Sequence, residues 1–367
     1  MDNPKTLSLV IPCYNEERTL IPCVKRVLAI ATTDLRLELV IVDDCSTDKS
    51  LALARELAKH HPEITVLHHD KNRGKGAALR TGFIHASGDF VGIQDADMEY
   101  DPLEYHILLQ PILADKADVV FGSRYLKSDT RRVLYFWHTW MNQTLTLISN
   151  MFTNLDVTDM ETGYKLFRRE IIQGIDLKEN RFGFEPEVTA KVSQARCRVY
   201  ECAISYLPRT PEEGKKINWK DGVHALYCIL HYGAPSAPLA MQLAIYFIIG
   251  FICAVVNVAV FSMLFHGGLS VEMATPASFA FAASLNYVLC VAILFHHKAR
   301  WNTFGELIAY LCTVLFMGLV DYGLTIGFIA TGTGVIFSKV IATSVGFVGN
   351  FLLRRFFVFP QPRVVRI

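Results

Sequence analysis

The chain has 367 residues, 51% of them hydrophobic, and a mean hydropathy of +0.28; it is too long for one ordinary domain and too apolar to be soluble throughout. Its 36 basic and 35 acidic residues nearly cancel, which excludes the broad positive field that makes nucleic acid a default partner. The nine cysteines are odd in number, form no CxxC pair and sit in apolar stretches, so reduced thiols are expected, and a disulfide framework or structural zinc is not.

The first residues, MDNPKTLSLVIPCYNEE, lack a basic region followed by an apolar core and a small-residue cleavage site, and no signal peptide is expected. Up to about Ala234, short β-branched runs alternate with amphipathic stretches, the pattern of βαβ units around a mostly parallel sheet. Strands are predicted at 7–12, 37–43, 64–68, 89–95 and 118–122, and helices fill the gaps, for example 17–31 and 48–60, the second capped by Ser46 or Asp48. In such sheets ligands bind beyond the carboxyl ends of the strands, where Asp43, Asp44, Asp95 and Asp97 fall. Residues 134–152, with Trp137 and Trp140, and 221–232 (DGVHALYCILHY) predict helices that lie on a membrane surface or pack as ordinary amphipathic helices.

From Leu239 the charges almost vanish, and four apolar segments follow at 239–265, 274–295, 307–330 and 335–358. Each approaches or exceeds the ~20 residues that cross a bilayer. The connector His296 to Arg300 and the tail with Arg354, Arg355, Arg363 and Arg366 are basic, whereas the other two connectors carry no Lys or Arg. The positive-inside rule then puts both termini in the cytoplasm. Asn286-Tyr-Val-Leu ending at Phe295 is echoed by Asn350-Phe-Leu-Leu ending at Phe359, and Asp321 and Lys339 fall inside predicted spans. Both charges are expected to face the bundle interior and each other, or else to reach headgroups from near a helix end. The expected division is 1–217 for the first domain, 218–238 for an interfacial helix and linker, and 239–367 for a four-helix membrane domain.

The sharpest chemical signal is Asp95-Ala96-Asp97-Met98-Glu99, directly after the run 90–93. Carboxylates at i and i+2 leaving a strand can hold a hard cation such as Mg²⁺ or Mn²⁺, which neutralises a departing diphosphate. Ile11-Pro12-Cys13-Tyr14-Asn15-Glu16 ends the first strand, Val42-Asp43-Asp44-Cys45-Ser46 ends the second, and Arg73-Gly74-Lys75-Gly76 and Gly122-Ser123-Arg124-Tyr125 follow. The Gly-Lys-Gly lacks the spacing of a phosphate loop or a dinucleotide fingerprint, so Lys75 is expected in a turn that packs a helix near the site. The twelve histidines are spread out, with no HExxH and no carboxylate-linked metal set.

Taken in order over residues 5–217, these motifs resemble family 2 glycosyltransferases, in the dolichol-phosphate-mannose synthase and GtrB-like branch. The resemblance implies a GT-A fold and metal-dependent, inverting transfer of a hexose, mannose or glucose, from a GDP- or UDP-sugar to a dolichyl or undecaprenyl phosphate. It further implies that Pro12, Tyr14 and Glu16 wall the base and ribose pocket, with Ile41 in the same nucleotide-sugar set and Asp43 reading the base edge. Asp95, Ala96, Asp97 and Glu99 match the metal and diphosphate segment, the metal ligands being Asp95, Asp97 and Glu99. Arg124, Arg209 and Lys215 match phosphate-clamping cations. Asp159, in Asp159-Met-Glu161-Thr-Gly163, matches an aspartate beside the reacting centre, so that Asp159, Asp97 and Arg124 form the catalytic set. The acceptor phosphate is largely ionised near neutral pH, which leaves Asp159 open to an orienting rather than a deprotonating role. Phe182-Gly-Phe184-Glu185-Pro-Glu187 resembles the later acidic motif, and Arg124, Arg131 and Arg132 are the acceptor-phosphate candidates; His138 stands near where the branch often has an arginine. The membrane half resembles the GtrA-like domain, and relatives imply a homo-oligomer. Rival readings are a processive polysaccharide synthase, whose nearest acceptor string is Lys298-Ala-Arg300-Trp301, and a non-catalytic carrier of lipid-linked sugar.

Overall fold

In the computed structural model the described residues are 4–126, 132–209, 219–295 and 303–359. The chain forms two units, Met1–Ser236 and Ala237–Val364. The first is built on a sheet of β1 (Lys5–Cys13), β2 (Leu35–Asp43), β3 (Ile64–His68), β4 (Phe90–Ile93), β5 (Val119–Ser123), β6 (Lys165–Arg168) and β7 (Val199–Ala203). Their order across the sheet is β3-β2-β1-β4-β6-β5-β7. All neighbours are parallel except the pairs that β6 makes with β4 and β5. The helices of this unit are α1 (Leu20–Leu28), α2 (Ser50–His60), α3 (Lys75–His85), α4 (Tyr105–Leu113), α5 (Phe136–Thr153), α6 (Arg169–Gly174), α7 (Phe184–Gln194) and α8 (Trp219–Gly233).

The parallel strands read as continuous apolar runs because helices cover both of their faces. One face of the sheet joins Leu9, Ile11, Leu39 and Ile41 to Val24 of α1 and Leu108 of α4. On α3, a Cβ added to Gly82 would lie 2.2 Å from Val10, so this glycine sets how closely α3 approaches β1. The five predicted strands are present. β4 is shorter than expected, ending at Ile93, and α1 begins at Leu20 rather than near 17.

β6 and β7 are the strands missing from the sequence reading, and β6 matters most for the site. β1 sits between β2 and β4, and helices cross over on both sides, so the crevice beyond the carboxyl ends of β1 and β4 is the expected place for a ligand. β6 runs the other way, pairing Gly92 with Leu166 and Phe121 with Lys165. Its amino end therefore lies at the carboxyl ends of β4 and β5, and the residues just before it, 159–164, arrive beside Asp95 and Arg124.

The second unit contains α9 (Leu239–His266), α10 (Val271–Leu289), α11 (Thr303–Ala330) and α12 (Val335–Leu353), with π-helical turns at Cys290–Phe295 and Arg354–Val358. Among the described residues, four helices are long and apolar enough to cross a membrane: Leu239–His266, Val271–Phe295, Ile308–Ala330 and Val340–Val358. Their outward side chains are large and apolar, for example Phe251, Val258, Leu315 and Leu319, as lipid contact requires. α11 and α12 repeat α9 and α10, with every boundary displaced by the same 64 residues. The Asn286/Asn350 echo is one trace of this period. Asp321 accepts a hydrogen bond from Thr343 Oγ1 at 3.1 Å; the Lys339 side chain lies outside the described residues.

Candidate active site

A cavity of about 630 Å³ opens at the carboxyl ends of β1 and β4. Pro12, Tyr14 and Glu16 from the end of β1 line it, as do Asp95, Ala96, Asp97 and Glu99 from the end of β4, together with Arg124 and Arg209. The loops after β1 and β2 are laced together to form this wall. Asn15, at φ +56°, accepts from Thr47 N at 2.8 Å, and Glu16 N donates to Ser50 Oγ at 2.8 Å.

Two residues of the expected nucleotide set are placed differently. Ile41 belongs to the buried core and does not line the cavity. Asp43, which shares its face of β2 by strand alternation, is wholly buried, bonded to Ser46 N at 3.1 Å and within 3.0 Å of His68 Nδ1. Its Oδ1 has no partner among the described residues. Asp44 lines the cavity instead and accepts from Arg73 N at 2.9 Å and Gly74 N at 2.6 Å.

The two acids of the Asp-Ala-Asp motif differ in surroundings. Asp95 is paired with Lys75 Nζ at 2.9 Å, and Lys75 also reaches Glu185 at 3.3 Å. Burial works against the ammonium charge, but Asp95 and then Glu185 outweigh it and hold the Lys75 pKa above its usual range. Lys75 is thus part of the site, where the sequence suggested only a helix-packing turn. Asp97 has no lysine partner among the described residues; burial first, then the charges of Asp95 and Glu99, push its carboxyl up to about 7. A divalent cation would relieve that strain, and two neighbouring hard carboxylates suit Mg²⁺ or Mn²⁺. Glu99, expected as a third ligand, has its oxygens taken up by the Tyr206 hydroxyl at 2.9 Å and Arg209 N at 2.8 Å, which makes it a brace for the loop that carries Arg209.

Arg124 and Asp159 hold each other. The guanidinium donates from Nε and Nη2 to the two Asp159 oxygens at 2.7 Å each, and Arg124 N adds a third bond at 3.0 Å. Both are buried, and the Arg124 guanidinium stacks 5.0 Å from the Tyr206 ring centroid. Arg209 pairs with Glu16 at 2.8 Å and donates from Nε to the Asp97 carbonyl at 3.0 Å. Asp97, Glu16 and Arg209 also line an adjoining polar cavity of about 590 Å³, and Arg132 is on its wall. Lys215 and Arg131 lie outside the described residues.

Glu161 is a site residue that sequence reasoning passed over. It lines the cavity, has a buried oxygen without a partner among the described residues, and is pushed up to about 8 by burial and then by Glu185. The only local signal was its place beside Asp159. The later acidic motif splits: Glu185 faces the cavity and Lys75, while Glu187 accepts from Lys178 N and Glu179 N at 2.8 Å each, securing a loop, and pairs with Lys191 at 2.6 Å. Contrary to the expectation for histidines, His224, Cys228 and Glu179 bring ligand-type atoms within 4.8 Å of one another. These are already hydrogen-bonded among themselves and to Tyr232, tying α8 to the loop before α7.

α5 and α8 add apolar side chains to the lining, Met141 and Leu145 from α5 and Trp219 and Ala225 from α8, beside His138, Asn142 and Asp221. The same helices expose Phe136, Trp137, Trp140, Val223 and Tyr227, an aromatic-rich surface of the kind that settles at a membrane interface.

Gly163 keeps the acid cluster in register. A Cβ there would lie 2.6 Å from Asp95 Oδ2 and 3.1 Å from Lys75 Nζ, so Gly163→Ala must displace the pair. The expected result is a loss of turnover of about 10- to 100-fold, as for ångström-scale misplacement of catalytic groups, with little change in Tm. Rates and melts on one preparation check this, and wild-type turnover would show the contact to be slack.

Residues 8–175 match the family described as Glycosyl transferase family 2, and residues 245–359 match GtrA/DPMS, transmembrane domain. Dolichol-phosphate mannosyltransferase of Pyrococcus furiosus is 28% identical over 211 residues, 57% of this chain and 58% of that protein. Dolichyl-phosphate beta-glucosyltransferase of Trichomonas vaginalis is 26% identical over 222 residues, 56% of this chain and 67% of that protein. Polyprenol monophosphomannose synthase of Mycolicibacterium smegmatis is 30% identical over 208 residues, 55% of this chain and 77% of that protein. The matched stretches contain the strand ends that build the cavity, and the chain belongs to glycosyl transferase family 2, with a GtrA/DPMS transmembrane domain following its catalytic unit.

Proposed function

We propose that this chain transfers a hexose from a nucleoside diphosphate sugar to a polyprenyl phosphate at the cytoplasmic face of a membrane, with inversion at the sugar's anomeric carbon. The observation that carries the reading is a single cavity lined both by acids and arginines from the strand ends and by apolar side chains from α5 and α8, suited to a polar donor and a lipid acceptor. The names of the relatives, which act on dolichyl or polyprenol phosphates, point the same way. The basic connectors favour the cytoplasmic side.

In this reading an oxygen of the lipid phosphate attacks the anomeric carbon, the bond from that carbon to the diphosphate breaks, and the nucleoside diphosphate leaves with the electron pair. The attacking phosphate is already an anion, so no side chain need take its proton. Pro12, Tyr14 and Asp44 would wall the nucleoside, with the free Oδ1 of Asp43 as a candidate acceptor for the base. Asp97, seconded by Asp95, would hold a Mg²⁺ or Mn²⁺ that neutralises the diphosphate when bound. Arg209 and Arg124 supply fixed positive charge where negative charge gathers, with Arg132 and, outside the described residues, Arg131 and Lys215 as further phosphate contacts.

Membranes carrying the protein, given labelled GDP-mannose, UDP-glucose and other nucleotide sugars with a polyprenyl phosphate, are expected to form one mild-acid-labile glycolipid. Chelation by EDTA should abolish it, and Mn²⁺ or Mg²⁺ should restore it. Long polymer would favour a processive synthase, and no transfer from any donor would favour a non-catalytic carrier.

A further inference from the structure

The two helical hairpins of the membrane domain share their helix boundaries at the 64-residue spacing and keep a few residues in common. Tyr246 recurs as Tyr310, Asn286 as Asn350 and Phe295 as Phe359, and the hairpin turns carry Gly268 and Gly332 at φ +95° and +87°. Both second helices end in a π-helical turn, a local widening that gathers at functional sites. The Phe295 and Phe359 rings stack at 4.6 Å, 9° from parallel. Where the π turns begin, the repeats differ in charge, with Cys290 in one and Arg354 in the other.

Arg354 is 3% exposed. Its Nη1 donates to Asn286 Oδ1 at 2.9 Å, and Tyr310 donates to the same oxygen at 3.1 Å. The guanidinium lies 4.1 Å from the Tyr310 ring centroid and 5.4 Å from that of Tyr246. Nη1 also lies 4.0 Å from Cys290 Sγ; among the described residues no carboxylate is within ion-pair distance, and Nε is buried without an acceptor. A buried guanidinium with no counter-charge among the described residues is costly in a membrane protein and marks a functional position. Its unpartnered Nε–H is a donor for an oxyanion oxygen. Tyr246 and Tyr310 lie in the early turns of α9 and α11, and Asn286 and Arg354 near the ends of α10 and α12, so the whole group sits toward one end of the bundle, which in a bilayer would bring it within reach of headgroups. The anion available at that depth is a lipid phosphate.

We propose that Arg354, held by Asn286 and sandwiched by Tyr246 and Tyr310, is a lipid-phosphate binding site built wholly from the membrane domain. It does not depend on the transfer reaction proposed above.

The test uses the full chain in detergent, without nucleotide sugar, and a polyprenyl phosphate with a diazirine on its first isoprene unit. Peptides containing Tyr246, Asn286 or Tyr310 should be labelled, and their labelling should fall at least tenfold in Arg354→Met and less in Arg354→Lys. Excess dioleoyl phosphatidic acid should compete, whereas polyprenol and inorganic phosphate should not; competition by inorganic phosphate would make this a free-anion site and overturn the assignment to lipid. Without lipid, Arg354→Met should melt no lower than wild type, and polyprenyl phosphate should raise the wild-type Tm more than that of the variant. Equal labelling of these peptides in wild type and Arg354→Met, or labelling confined to the catalytic unit, would overturn the proposal. Loss of labelling only on peptides around Met141 and Leu145 would count against the acceptor reading of the catalytic cavity and leave this one standing.

Discussion

Asp97→Asn should lower sugar transfer by about 10³-fold, ~4 kcal/mol of transition-state stabilisation, and leave the protein folded with an unchanged or higher Tm. The two halves of this expectation come from one fact. Burial and the neighbouring charges of Asp95 and Glu99 push the Asp97 carboxyl up to about 7, so its ionised form is a burden on the metal-free fold, and the amide removes that burden. The same ionised form is what would grip a cation, so the variant loses the metal along with the charge. Initial rates at saturating Mn²⁺, with calorimetry of the same sample with and without the ion, would check both. Wild-type, metal-dependent turnover in the folded variant would refute the assignment.

Asp159→Asn should be the more damaging change to the fold. Arg124 would keep its charge, lose its buried counter-ion and lose at least one of its three bonds, because an amide offers a single acceptor oxygen. Removing one partner of a buried pair costs about 3–5 kcal/mol. Turnover should fall about 10²-fold as the guanidinium loses its aim, by analogy with other misplaced catalytic groups. If Asp159 positions Arg124, the pH dependence of the residual activity keeps its wild-type shape, and Arg124→Lys fails similarly because an ammonium cannot make the two-pronged contact. A residual activity that rises steadily with hydroxide concentration would instead identify Asp159 as the group that removes a proton.

The catalytic fold was legible where its signal is local. β1 is an apolar run and β2 one that ends in Asp43, and both could be read from composition and spacing. β6 could not, because Lys165–Arg168 is four residues long with a cation at each end, and only its long-range pairing with β4 and β5 makes it a strand. The site followed the same division. The Asp-Ala-Asp motif announces itself at a strand end, but its partners do not: Lys75 reaches Asp95 across 20 residues, Arg124 reaches Asp159 across 35, and Tyr206 reaches Glu99 across 107. Arg124 and Asp159 therefore read as two independent functional groups in sequence and are one ion pair in space. Ile41 was misplaced because strand parity decides which side chain meets the cavity, and that parity is fixed by the core beneath. The membrane helices were plain from hydropathy. Their period was barely so, since most equivalent positions have diverged and only helix boundaries show that it is complete.

That period carries an evolutionary consequence. A hairpin that crosses the bilayer twice returns to the side it started from, so copying it in tandem preserves orientation and adds a second hairpin pointing the same way. An ancestral single hairpin would have met its equal as a homodimer, with the same residue facing itself across the axis. Fusion into one polypeptide freed those two positions to differ, and a cysteine opposite an arginine is an asymmetry that no pair of identical chains could have displayed.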